Sequence, residues 1–170
     1  MSIKLMGAVL VIGGSGLCGF SMAAAKRREE RELRQLLMGL EYLECELQYH
    51  HTPLPQLCAM TAGVTRGAVQ ELFLALVREL EAQTQAEPSD CMERALELVP
   101  GLCPQTCAVL RSLGQTMGRF DLPGQLKGIA CAKGECGQKL EELVLNRDSR
   151  LRSYQTLGLC AGAALAILFL

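Results

Sequence analysis

The sequence predicts an all-α protein: a bundle of about six helices over residues 26–152, flanked by an N-terminal transmembrane helix (1–25) and a C-terminal one (153–170). Three observations predict it. Apolar residues recur at steps of three and four through the middle of the chain, and the strict alternation of half-buried strands is nearly absent. Uncharged apolar runs occupy both extremities. Proline and glycine break the middle into short segments with restart signals at their heads.

The first run, Leu5 to Ala25, carries no charge. At about 1.5 Å per residue it covers the roughly 30 Å hydrocarbon core of a bilayer. A cleaved signal peptide is the plainer reading, since Ala23-Ala24-Ala25 satisfies a small-residue cleavage rule. Against it, the run is longer than a signal's apolar region, and Lys26-Arg27-Arg28 follows at once as a stop. Beyond it, Leu33, Leu36, Leu40, Leu43 and Leu47 form one apolar stripe with Arg31, Arg34, Glu41 and Glu44 opposite. The membrane helix is therefore expected to run unbroken into a helix ending near Tyr49. Thr52 before Pro53 reads as an N-cap with proline at the first helical position, opening a short helix that reaches about Thr61 and stops before Gly63.

The next stripe, Val69, Leu72, Phe73, Leu76, Val77 and Leu80, lies between Gly67 and Gln83. Residues 84–89 read as a polar loop. Asp90 and Glu93 fit a capping pattern for a helix to about Val99, which Pro100-Gly101 ends. Pro104 opens a helix with Leu110, Leu113 and Met117 inward. Asp121-Leu122-Pro123 breaks and restarts the chain, with Asp121 as cap. The last helix carries Leu126, Ile129, Cys136, Leu140 and Leu143 and feeds into Ser153–Leu170, again uncharged; Gly124, Gly128, Gly134 and Gly137 weaken its first half. A buried core helix and a GPI signal are the plainer readings of this tail, but a charged helical stretch leads straight into it, without the polar spacer an anchor signal needs.

Basic residues orient the whole. Lys26, Arg27, Arg28, Arg31 and Arg34 follow the first run, Arg147, Arg150 and Arg152 precede the second, and only Lys4 lies outside. By the positive-inside rule residues 26–152 are cytoplasmic and both termini point outward. Lys26, Arg27, Arg28, Arg31, Arg147, Arg150 and Arg152 then lie against anionic headgroups, at about 1 kcal/mol each. Gly158, Gly162 and Ala166 form a small-residue row that lets a membrane helix approach closely, although such residues are common in membrane helices anyway.

Composition excludes several functions. Of 170 residues, 49% are hydrophobic, so the chain is too apolar for intrinsic disorder. Seventeen basic residues face eighteen acidic ones, which argues against nucleic acid as a partner. The two histidines are adjacent, and the nine cysteines include no C-x-x-C pair. Cys103 and Cys107 can share a helix face, but a zinc site needs two further ligands. No metal, cofactor or catalytic residue is expected. The thiols read as small apolar residues in a reducing compartment.

Three stretches, taken in order, resemble the stage III sporulation protein AB family of endospore-forming bacteria. The first is Lys4-Leu5-Met6-Gly7-Ala8-Val9-Leu10-Val11 with Gly19-Phe20 and Ala25-Lys26. The second is His51-Thr52-Pro53-Leu54, like the family's G-H-T-P-L with His50 in place of the glycine. The third is Leu113-Gly114-Gln115-Thr116-Met117-Gly118-Arg119-Phe120-Asp121 with Gln125, like L-G-x-x-L-G-x-x-D-x-x-x-Q with Met117 for leucine. Tyr154 and Leu157-Gly158 match at the end, so the resemblance covers essentially the whole chain. It implies a membrane component of the channel apparatus between mother cell and forespore, similar in fold to the cytoplasmic helical domains of type II secretion inner-membrane platforms. The implied partners are other membrane subunits, a cytoplasmic secretion-type ATPase and membrane lipid.

The residues agree on class: two anchors, a bundle and no catalytic constellation describe a scaffold. Two corners are candidate partner sites, His51, Thr52 and Pro53 in one and Gly114, Gly118, Asp121 and Gln125 in the other. The plainer reading makes them caps and close-packing positions. A membrane-bound enzyme with a Cys or His nucleophile and a general lipid-surface bundle are the competing functions; the first requires a low-pKa thiol near His50 or His51.

Overall fold

The computed structural model describes residues 2–49, 52–82, 87–117 and 121–169, with side chains described over 24–49, 52–82, 87–117 and 121–145. These residues form six helices: α1 (Ser2–Tyr49), α2 (Leu54–Val64), α3 (Ala68–Ala82), α4 (Pro88–Leu98), α5 (Pro104–Thr116) and α6 (Leu122–Phe169). No strand occurs among the described residues. As the unbroken apolar spacing implied, α1 and α6 are single helices of 48 residues each, about 70 Å long at 1.5 Å per residue.

Each helix packs on the next in sequence, and α6 closes the ring on α1. Helix α1 is the hub, touching α2, α3, α5 and α6. Its stripe is buried from Leu33 to Leu47, and Leu57, Val69, Leu72, Phe73, Met92, Leu110, Leu113 and Ile129 complete the core. Leu126, Leu140 and Leu143 pack at its edge. Neighbouring helices run antiparallel. Glu93 of α4 pairs with Arg111 of α5 at 2.5 Å, and the Lys139 ammonium of α6 donates to the Gln105 carbonyl of α5 at 3.5 Å. Between α1 and α6, Lys133 meets Glu44 at 2.5 Å and the Cys136 thiol donates to the Leu33 carbonyl at 3.2 Å. Numbers rise along α6 as they fall along α1, so the start of α1 and the end of α6 extend past the bundle on the same side.

Two helix starts and one helix end differ from the sequence reading. Thr52 is not the cap of α2: Pro53 occupies that position (φ −56, ψ 143), and the Leu57 N–H donates to its carbonyl at 2.9 Å. An N-cap needs an extended ψ and only its carbonyl, both of which proline supplies. Helix α2 also passes through Gly63 to Val64, because both the N–H and the hydroxyl of Thr65 close onto the Thr61 carbonyl and satisfy its last turn. Asp90 does not cap α4. The helix starts three residues earlier at Pro88, with Glu87 as cap, and Asp90 sits in the first turn, where its charge suits the helix dipole. Gly67, at φ +67, turns the chain into α3, a conformation open to glycine without strain.

The expected membrane spans fall largely on residues 1–23 and 146–170, whose side chains lie outside the described ones. Among the described residues no helix is long and apolar enough to cross a membrane.

Candidate functional site

The two sequence-defined corners lie at one end of the bundle, where α1 passes into α2 and α5 into α6. In the first, Thr52 is half-buried and Pro53 exposed; His51 lies outside the described residues. In the second, Asp121 caps α6: its carboxylate accepts the Gly124 N–H at 3.3 Å and its carbonyl the Gln125 N–H at 3.0 Å. Gln125 is half-buried, and Gly118 lies outside the described residues. Gly114 is buried one helix inward. A Cβ there would meet Met92 Cβ at 2.8 Å and Cγ at 2.9 Å, so the α4–α5 approach requires glycine. Gly128 does the same for α5 and α6, since an added Cβ would collide with Thr116. It weakens α6 locally but permits the contact that closes the ring.

The opposite end holds a polar clamp that the sequence reading missed. The Glu32 carboxylate, buried, accepts Arg28 Nε at 3.0 Å and the backbone N–H of Cys103, 71 residues away, at 2.8 Å. Arg28 Nη2 donates to the Gly101 carbonyl at 2.5 Å. Together α1's acid and base hold the α4–α5 turn at two of its backbone groups. Glu29, also buried, takes the Lys26 ammonium at 2.6 Å. The signal was present: carried back from Leu33, the stripe's three-four spacing reaches Glu29, so a carboxylate stands where the pattern asks for leucine. Lys26 and Arg28 are thus engaged within the protein. Arg31 Nε donates to the Arg27 carbonyl at 3.2 Å. The side chains of Arg147, Arg150 and Arg152, and the packing of Gly158, Gly162 and Ala166, lie outside the described residues.

Five thiols are held protonated. Burial pushes Cys58 up to about 12 and Cys136 up to about 11. Burial, reinforced by a hydrogen bond to the Glu32 carboxylate, pushes Cys103 up to about 11. Burial also raises Cys91 and Cys107. A thiolate nucleophile is disfavoured at each of these positions. Cys103 and Cys107 share the first turns of α5, but among the described residues no three His, Cys, Asp or Glu side chains gather as metal ligands.

The arrangement defines a class: a small helical bundle with a long first and last helix, whose distinctive polar groups join helices to one another. Within it the chain belongs to the stage III sporulation protein AB family, whose profile matches residues 4–170. Stage III sporulation protein AB of Bacillus subtilis (strain 168) is 28% identical over 171 residues, 99% of each chain. A solved structure of stage III sporulation protein AB (SpoIIIAB) superposes with a TM-score of 0.64 at 26% identity, covering 72% of this chain and 98% of its own.

Proposed function

We propose that this sporulation-family chain is a membrane-anchored, non-enzymatic assembly component of a secretion-like channel complex between mother cell and forespore. It docks the complex's other membrane subunits and a cytoplasmic ATPase, and it resides in the mother-cell membrane around the forespore with its bundle in the cytoplasm. The observation that supports this reading is the antiparallel pairing of α1 and α6. It sends both uncharged runs, 5–25 and 153–170, out of the same end of the bundle, as a two-anchor mount requires. Val144 and Leu145, exposed on α6 past the last core leucine, lie on that side too. The two corners face away from it, where a cytoplasmic partner has access.

Crosslinking in sporulating cells, followed by identification of what is attached to residues 26–152, tests the proposal. Capture of membrane subunits and a nucleotide-hydrolysing partner is expected; capture of lipid-metabolism proteins alone sinks it. Protease added outside intact cells should leave the bundle undigested.

A further inference from the structure

We infer that the α4–α5 turn is a third point of membrane contact, at which Leu98 and Pro100 enter the headgroup boundary of the bilayer beside the two anchors. The inference deepens the membrane-anchored reading above and rests on it.

Two contacts fix the height of the turn. Arg28 stands three residues past Ala25, where the uncharged run 5–25 ends, and its Nη2 donates to the Gly101 carbonyl. Glu32, one helical turn further on, accepts the Cys103 N–H at 2.8 Å. The α4–α5 turn is thereby held beside residues 28–32 of α1, within about 10 Å of the end of the run along the helix axis. Helix α6 brings apolar residues to the same height. Its Cys136 thiol meets the Leu33 carbonyl. Nine residues on from Cys136 along α6, and nine back from Leu33 along the antiparallel α1, Leu145 comes level with Ala24. Ala24, Ala25, Leu98, Pro100, Val144 and Leu145 are all exposed, Leu98 at 61% and Leu145 at 66%.

Pattern and charge name the occupant. Cys91, Ala95 and Leu98 follow the i, i+4, i+7 spacing of one helix face. Cys91 and Ala95 are buried, whereas Leu98 on the same face is exposed. The core stripe of α4 therefore runs off the end of the bundle toward the membrane and leaves its last member outside. No acidic or basic residue occurs between Glu97 and Arg111, so the turn and the start of α5 meet an apolar layer without a charge to bury. Glu97, exposed, stands about 100° round α4 from Leu98. The α2–α3 turn is the contrast. It closes on the same side of the bundle, but its Thr65 packs against Gly39, seven residues past Glu32 and so about 10 Å further from the run. That turn carries the exposed Arg66. Of the two turns on this side, the near one is apolar and the far one charged. An ordering by height is what a planar boundary imposes, and it is why the occupant is lipid rather than another protein.

The chain has no tryptophan, so one introduced at an exposed site reports alone. Full-length Leu98→Trp, Leu145→Trp and Leu74→Trp are reconstituted in vesicles of phosphatidylglycerol and phosphatidylcholine, the latter brominated in the upper acyl chain. Leu74, 42% exposed on α3, is the reference away from lipid. Bromine should quench Leu98→Trp and Leu145→Trp about twofold and leave Leu74→Trp within about a tenth of its unbrominated intensity. Far-UV circular dichroism matching the parent shows that each variant folds. Carbonate extraction is read first: release of the chain overturns the anchoring reading and this inference together. In retained chain, quenching of Leu145→Trp without Leu98→Trp overturns the inference and leaves the anchoring intact. So does a blue-shifted tryptophan at position 98 that bromine does not quench, which a covering protein produces. Equal quenching at position 74 overturns it as well, since the bundle would then lie flat on the bilayer.

Discussion

At the α4–α5 end of the bundle, a turn is held by side chains recruited from a distant helix: Glu32 takes the Cys103 N–H, and Arg28 reaches the Gly101 carbonyl. At the other end, the α1–α2 and α5–α6 corners are held by their own local backbone: proline at a cap, Asp121 closing onto Gly124, and glycines that let helices touch. The first arrangement concentrates stability in one buried carboxylate. The second spreads it over several small contributions that no single substitution removes. The difference suits the proposed roles: on that reading the clamped end would lie nearer the membrane and the corner end would be the one a partner reaches.

The largest effect should come from Glu32→Ala. Its side chain is 8% exposed, and removing it leaves the Cys103 N–H without its acceptor, at a cost of about 2–3 kcal/mol. Arg28, 56% exposed, is its foil: Arg28→Ala should cost under about 1 kcal/mol, because water replaces an exposed guanidinium's partners. Urea unfolding of the full chain in detergent measures both. Equal losses would mean the clamp works as an ion pair rather than as a cap on a remote turn.

Gly114→Ala comes next. Methionine Cβ and Cγ lie within 3 Å of the new methyl, and a Cβ fixed to its own backbone cannot yield. Overpacking of about 1–3 kcal/mol should outweigh the roughly 1 kcal/mol of helix propensity gained. Asp121→Ala should cost about 1 kcal/mol through loss of the cap. If partner capture from sporulating cells falls much further than that stability loss explains, the corner also contacts a partner; if the two fall together, Asp121 is a cap alone.

The fold was legible because its signals are local. The three-four spacing of Leu33 to Leu47, the breaks at Pro104 and Asp121, and the six-helix count need only neighbouring residues. Helix starts shifted at α2 and α4 because proline can serve as N-cap or as the first helical residue. Only the flanking hydrogen bonds decide which, as at Pro53 and Pro88. The clamp was only partly legible. The stripe's spacing carried back from Leu33 marks Glu29, but Glu32 holds a backbone N–H 71 residues downstream, and no local spacing marks it.

Alkaline pH probes the core shared by both ends. An ordinary thiol titrates near 9, and Cys58 is held near 12. Below pH 9 both folded and unfolded states keep the proton, and the stability is fully present. Above it the unfolded chain loses the proton while the folded one retains it, so stability falls as pH rises from 9 toward 12. Between pH 9 and 10 this amounts to about 1 kcal/mol for Cys58. The gap between unfolding free energies at those two values should shrink by about that amount in Cys58→Ala, while Cys103 and Cys136 keep their own share; an unchanged gap would mean the Cys58 thiol reaches solvent.

The smallest effect has the opposite sign. Gly134 sits in the middle of α6, six residues beyond Gly128, and nothing lies within 4 Å of its Cβ position. Gly134→Ala therefore keeps the helix-propensity gain without a clash and should stabilise the chain by about 0.5–1 kcal/mol. Gly128→Ala should destabilise it, because the new methyl overlaps Thr116, whose hydroxyl is tied to the Leu113 carbonyl at 2.9 Å and resists rotation. The two glycines share a helix and a propensity cost, so the sign difference between them isolates packing. If both substitutions stabilise, α5 and α6 are free to separate, and the corner end is looser than its glycine contacts indicate.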